Sequence, residues 1–283
     1  MVSTSRVLLN QRSRDQVTAA SCAVGIFSKV PKEGVSKSRL CPPLKPEECA
    51  ELSRCFLKDT AENVSKLAQE TDKVVAVGVY APAGSEKDFG SLLPEDFLLL
   101  AQRGEGLGER LRNAAEALFS AGFGSVCFVG ADSPTLPRSY LAQMIGYVSH
   151  IEKGVVLGPS ADGGYYTIGL KTFMPRLFED IDWSTNRVFE QTMARIDELA
   201  VPRLILPEWY DVDDWVALRQ LYAELSGLTR TRQPGYLAIH TQRFLAQLPF
   251  LNDASEAQRS EERDVSSLLC ALLSAGRRCD LDR

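Results

Sequence analysis

Two aspartates in this 283-residue chain each follow an apolar run that stops abruptly in a turn. The first is Asp132, in Gly130-Ala131-Asp132-Ser133-Pro134-Thr135-Leu136-Pro137, directly after the apolar residues 126–129. The second is Asp162, in Pro159-Ser160-Ala161-Asp162-Gly163-Gly164-Tyr165-Tyr166, after 154–158. Carboxylates at the carboxyl ends of buried strands lie on the edge of an open α/β sheet where ligands bind. Their chemistry suits a divalent cation and a phosphorylated substrate, since Mg²⁺ takes one or two carboxylates and completes its shell with water and phosphate oxygens. Asp132, in a turn stiffened by Pro134 and Pro137, is the first candidate ligand. The competing reading is a helix cap, a task that Ser133 or Thr135 serves equally well. Asp162 stands before two glycines, which let a backbone approach a ligand or simply turn the chain. It is expected to be catalytic, on the acceptor side.

A third acidic group, Asp211, Asp213 and Asp214, follows the last apolar run at 204–206. Helix starts favour acids, so at least one of the three is expected to serve only the helix. Asp213 is taken as the second metal ligand and Asp211 as a supporting group. Positive charge comes from the loop at 28–40, which carries Lys29, Lys32, Lys37 and Arg39 with Pro31 and Gly34. Such a loop can wrap phosphates with its N–H groups and cations, or be a solvated charged loop. It lacks Walker spacing. Gly104, Gly106 and Gly108 invite a dinucleotide reading, but Glu109 stands where the fingerprint needs glycine. A tight loop against a nucleotide base, with Gln102 and Gly108, fits better. Trp183, Ser184 and Thr185 line an acceptor pocket or, for the Trp, pack in the core. His150 and His240 have no suitable partner and read as surface or helix-end residues.

The elements that must position these residues follow from periodicity. Short apolar runs at 22–27, 73–80, 126–129, 154–158 and 204–206 read as buried strands, a further strand follows Gly164 with Tyr165 and Tyr166 alternating on it, and 97–101 is a short apolar segment. Helical spacing connects them: 46–67, a helix ending near 121, a helix through 188–196 that Ser184 or Thr185 would cap, and another after 215. The alternation predicts a three-layer α/β/α sandwich with a mainly parallel sheet. Three parts are expected: a flexible tail at 1–21, an α/β domain at 22–226 and a C-terminal extension at 227–283 with linker-like residues 229–235, a helix near Phe244 to Phe250 and a charge run at 258–264. Residues 1–20 bear Arg6, Arg12 and Arg14, a weak organelle-targeting pattern against the plainer reading of a tail.

Net charge is −5, so no global basic field draws nucleic acid or an anionic membrane. No apolar run reaches the roughly 18–20 residues of a membrane span. The seven cysteines, Cys22, Cys41, Cys49, Cys55, Cys127, Cys270 and Cys279, show neither a disulfide framework nor zinc spacing, which fits a reducing, cytoplasmic setting.

Taken in order, Lys29-x-Pro31-x-x-Gly34-x-x-Lys37-Ser38-Arg39-Leu40, Gly130-Ala131-Asp132-Ser133-Pro134-x-Leu136-Pro137, Gly158-Pro159-x-x-Asp162-Gly163-Gly164-Tyr165-Tyr166, Trp183-Ser184-Thr185 and Trp209-Tyr210-Asp211-Val212-Asp213 resemble a family of bacterial-type glycosyltransferase-like proteins. These have the GT-A, nucleotide-diphospho-sugar transferase fold, and some are assigned to arsenosugar biosynthesis. More distant similarity extends to phospholactate guanylyltransferase and the molybdenum-cofactor nucleotidyltransferases. The resemblance covers about residues 22–226 and implies that Lys29, Gly34, Lys37 and Arg39 bind the nucleotide. It also implies that Asp132 and Asp213 hold Mg²⁺ or Mn²⁺, and Asp132 is expected to be catalytic together with Asp162. Gly163, Gly164, Tyr165, Trp183, Ser184 and Thr185 would meet the acceptor. Ser38 replaces a frequent threonine, and Ala161 stands where an acid is common, so the charge on the acceptor side departs from the pattern. The expected function is metal-dependent glycosyl transfer from a nucleotide sugar to a small molecule. The alternatives are nucleotidyl transfer from a nucleoside triphosphate with pyrophosphate release, and nucleotide binding without catalysis.

Overall fold

The computed structural model describes residues 17–71, 73–229 and 235–248. The expected tail before residue 17, the helix end at Phe250, the charge run at 258–264, and Cys270 and Cys279 lie outside them.

Seven strands form one sheet in the order β3-β2-β1-β4-β6-β5-β7. They are β1 (Cys22–Lys29), β2 (Val74–Ala81), β3 (Leu98–Ala101), β4 (Ser125–Gly130), β5 (Val155–Pro159), β6 (Tyr165–Leu170) and β7 (Arg203–Ile205). All pair in parallel except β6, which runs antiparallel between β4 and β5. The ends of β1 and β4 therefore open on one edge with the β5–β6 turn.

Seven helices complete the described residues: α1 (Pro46–Glu70), α2 (Glu86–Gly90), α3 (Leu107–Ser120), α4 (Arg138–His150), α5 (Val188–Glu198), α6 (Trp215–Leu225) and α7 (Ile239–Leu245). Strand side chains alternate between faces, and the core divides accordingly. Val24 and Ile26 of β1 pack with Leu57, Ala61 and Val64 of α1 and Leu141 and Met144 of α4. Ala23 and the alternate β2 residues Val75, Val77 and Val79 pack with Leu111, Ala115 and Leu118 of α3 and Ile196 of α5 on the other side. This is the expected three-layer α/β/α sandwich.

A third cluster ties the loop after β1 to the C-terminal helices. Leu40 and Leu44 join Leu52 and Phe56 of α1, Val212 of the segment before α6, Leu218 and Leu221 of α6, and Leu245 of α7. Fully buried Asp59 of α1 accepts the backbone N–H groups of His240 (2.9 Å) and Thr241 (2.8 Å), satisfying two orphan donors at the start of α7. His150 ends α4, as expected. Helix α5 differs from its expected start: it begins at Val188, and Thr185 Oγ1 accepts from Arg187 N without reaching the first helical turn. The five described cysteines are free thiols. No helix among the described residues is long and apolar enough to cross a membrane.

Candidate active site

Strand β1 ends at Lys29, and the chain loops out to a single 3₁₀ turn, Ser38–Leu40, pinned by the buried Leu40. Lys37 precedes that turn with φ of 50°, a left-handed conformation uncommon for a residue with a Cβ. The backbone aims its side chain inward, with Nζ 2.6 Å from Asp132 Oδ1 and 2.8 Å from Asp213 Oδ1. The lysine side chain is 6% exposed, whereas the side chains of Asp132 and Asp213 are 51% and 45% exposed. The ammonium also lies 5.5 Å from the centre of the Phe56 ring. Burial alone pushes the lysine pKa down, but the two carboxylates outweigh it and raise the value above the ordinary range. Asp132 lies just past β4 and Asp213 beyond β7, and Val212 N donates to Asp132 O at 2.9 Å. One backbone hydrogen bond thus joins the two acidic turns.

These residues form part of the wall of a cavity of about 710 Å³. Lys29, Lys37 and Arg39 enter from the first loop, Arg110 from the first turn of α3, Ser53 from α1 and Ser184 from the segment before α5. Gln102 reaches the wall from the end of β3. Its side-chain nitrogen donates to Ser28 O (3.0 Å) and Val79 O (2.9 Å), so both amide protons are used and the carbonyl oxygen remains as an acceptor. Four cations stand against Glu105, Asp132 and Asp213, a charge pattern that can receive a polyanion.

A smaller cavity of about 280 Å³ shares Phe27, Leu107 and Asp132 with the first. Asp211 faces it, accepting a 2.8 Å hydrogen bond from Ser160 Oγ. Burial, helped by the charges of Asp162 and Asp213, raises the Asp211 pKa above the usual carboxylate range. Behind the acidic segment, Tyr210 donates to Glu224 of α6 and lies 3.2 Å from Thr135 Oγ1, fixing the segment that bears Asp211 and Asp213. Burial raises the Glu224 pKa as well.

The other candidates separate by geometry. Asp214 is the N-cap of α6, accepting from Ala217 N at 2.9 Å, and is the helix-serving acid that the sequence anticipates. Asp162 is exposed and accepts from Gly164 N at 2.8 Å within its own turn. It lines neither cavity, nor do Gly163, Gly164, Trp183 and Thr185. Tyr165 lines the smaller cavity, and Ser184 the larger one. Gly34 has open space around its Cβ position and a φ of 71°, a turn residue of the loop. Gly108 is outside both walls. Its missing side chain admits Trp183, whose Nε1 would lie 2.0 Å from an added Cβ. Trp183 meets Tyr165 edge-on from there. Arg110, Ser53, Phe27 and Ser160 were not among the sequence candidates. Arg110 had a readable signal, a cation in the first turn after the glycine-rich loop.

Comparison with known proteins bears on the fold. A family described as "Uncharacterized protein conserved in bacteria (DUF2064)" matches residues 63–185. A crystal structure from Desulfovibrio desulfuricans G20, provisionally named a nucleotide-diphospho-sugar transferase, is 28% identical. It aligns over 82% of this chain and 96% of its own, with a TM-score of 0.70. The chain has the nucleotide-diphospho-sugar transferase fold. Looser likenesses to that fold include a cytidylyltransferase from Leptospira borgpetersenii serovar Hardjo-bovis, at 12% identity over 82% of this chain and 96% of the other, with a TM-score of 0.45. Another is the mannosyltransferase PcManGT from Pyrobaculum calidifontis, solved with GDP-Man and Mn²⁺, at 13% identity over 93% and 80% of the two chains, with a TM-score of 0.41. At those scores neither carries a functional argument. No curated protein matches the chain. In this nucleotide-diphospho-sugar transferase fold, both cavities lie at the carboxyl edge of the sheet, the usual place for ligands in open α/β folds.

Proposed function

We propose that the protein is a metal-dependent glycosyltransferase that takes a nucleotide sugar in the larger cavity and transfers the sugar to a small-molecule acceptor. The observation that carries this reading is the Asp132–Asp213 pair, which already holds one cation, the Lys37 ammonium, between its oxygens at 2.6 and 2.8 Å. Two carboxylates suit Mg²⁺ or Mn²⁺ shared with substrate phosphates, and among the described residues no group of three or more His, Cys, Asp or Glu is placed to hold a metal. A metal bound there supplies Lewis-acid charge to the departing diphosphate.

The chain's own residues do the remaining work. Lys29, Arg39 and Arg110 neutralise phosphate oxygens, and Lys37 adds a fourth cation once it leaves the carboxylates. The Gln102 carbonyl oxygen offers the base an acceptor. Transfer forms a bond between an acceptor oxygen and the anomeric carbon and breaks the bond from that carbon to the β-phosphate oxygen. The electron pair leaves on the nucleoside diphosphate, and the acceptor proton passes to solvent.

The test measures binding and hydrolysis of a panel of nucleotide sugars with Mg²⁺ or Mn²⁺, for wild type and Asp132→Asn. Metal-dependent binding and release of nucleoside diphosphate are expected from wild type and not from the variant. Unchanged metal-dependent binding in the variant sinks the assignment. Pyrophosphate release from nucleoside triphosphates would show nucleotidyl transfer instead, and binding without turnover under any metal a non-catalytic protein.

A further inference from the structure

The two cavities differ in charge more than in size. The larger one presents Lys29, Lys37, Arg39 and Arg110. The smaller one has no lysine, arginine or histidine in its wall, and its charged groups are the carboxyls of Asp132 and Asp211. The rest is mainly apolar, with Phe27, Leu107 and Tyr165 partly exposed over the buried Phe128 and Ile168. Where the two meet, at Asp132, a molecule in the smaller cavity would touch the reacting end of one in the larger.

We propose that the smaller cavity is the acceptor subsite and that it selects an uncharged hydroxyl compound with an apolar face, rejecting phosphate esters. The inference rests on the larger cavity being the nucleotide site. Asp132 is already paired with the Lys37 ammonium at 2.6 Å, so the repulsion comes from Asp211: two like charges a few ångströms apart repel by several kcal/mol at the effective dielectric of a protein surface, and a phosphate beside that carboxyl is disfavoured. No wall cation offsets the loss of hydration such an anion would suffer. A hydroxyl meets the opposite situation. Ser160 occupies Asp211 Oδ1, which leaves Oδ2 to accept a hydrogen bond from the hydroxyl while the aliphatic or aromatic body lies on Phe27, Leu107 and Tyr165, above the buried Ile168. The cavity thereby separates the two transfer chemistries available to the fold: sugar acceptors are commonly hydroxyls, whereas nucleotidyl transfer to a phosphorylated substrate requires a phosphate nucleophile.

The experiment uses the full chain, with 2-phenylethanol and 2-phenylethyl phosphate as a pair of probes differing in charge. Each is titrated into protein carrying a ¹³C label in the isoleucine δ1 methyl groups, with the Ile168 signal identified from Ile168→Val. The alcohol is expected to move the Ile168 methyl and to bind at least about tenfold more tightly than the phosphate. In Asp211→Asn the gap should narrow by at least about threefold, because the repelling charge is gone. The wild-type comparison of probes needs no variant, so a poorly folded Asp211→Asn would not leave the proposal unread. Equal or tighter binding of the phosphate, failure of the alcohol to move Ile168, or an unchanged gap in folded Asp211→Asn would overturn it. Failure of the nucleotide reading shows separately, as no Mn²⁺-dependent thermal shift with nucleoside diphosphates while the probes still discriminate at Ile168.

Discussion

Asp132 and Asp162 occupy matching places in the sequence, each in a turn after an apolar strand, and the fold gives them opposite surroundings. Asp132 follows a strand whose parallel neighbour β1 leads into the cationic loop, so its carboxylate meets Lys37. Asp162 sits in a hairpin between β5 and the antiparallel β6, and its carboxylate is used by Gly164 N two residues on. A carboxylate becomes a site when distant parts of the chain converge on it. When the nearest partner is its own turn, the same residue type merely shapes backbone. Asp213 and Asp214 repeat the contrast on adjacent positions, one on Lys37 and the other on the amide of Ala217.

The largest expected effect comes from Asp132→Asn, which should weaken metal-dependent nucleotide binding by roughly 100-fold, as loss of a metal-site carboxyl would. Isothermal titration with Mn²⁺ present reads this, and an equal loss from Asp162→Asn would erase the contrast. Next is Lys37→Met. It should weaken nucleotide binding by about tenfold through the lost phosphate cation and strengthen binding of Mn²⁺ alone, because the ammonium no longer competes for the two carboxylates. The same variant has a pH signature. Lys37 has a raised folded pKa, so its ion pairs stabilise the fold fully below the ordinary lysine pKa of about 10.4 and are lost as pH climbs through the higher folded value. Melting temperature from pH 9 to 12 should fall more steeply for wild type than for Lys37→Met.

A smaller effect, confined to stability, is expected from Asp214→Ala: about 1 kcal/mol for a lost N-cap, with nucleotide binding unchanged. Chemical denaturation beside the binding assay checks it, and a binding loss matching that of Asp213→Asn would remove the distinction between the neighbours. The smallest belongs to Asp162→Asn. Asparagine makes the same bond to Gly164 N, so nucleotide binding should stay within about twofold of wild type and stability within about 0.5 kcal/mol.

Much of the sheet was legible because buried strands in this chain are short apolar runs with abrupt ends, as at 22–27 and 126–129. Strand order was not: β6 reaches its place between β4 and β5 through tertiary pairing that no local pattern encodes. The cationic loop and the acids at 132 and 213 stood out by type and spacing. That Lys37 would bridge both acids was hidden, since its partners lie about a hundred or more residues away. Gly108 shows the reverse error of scale: its glycine-rich surroundings suggested a ligand, whereas the space above it belongs to Trp183. Asp211 looked like an accessory to Asp213, and only the Ser160 bond and the shape of the smaller cavity set it apart.

The backbone bond from Val212 N to Asp132 O works as a caliper. It sets the spacing of the turns carrying Asp132 and Asp213 through main chain rather than through two flexible side chains. The gap between their carboxylates is therefore a gauge with a fixed opening. A glutamate at either position would push its carboxylate about 1.5 Å farther into that opening, one carbon–carbon bond length. Charge would be conserved and fit would not, so the geometry favours the shorter acid at both positions.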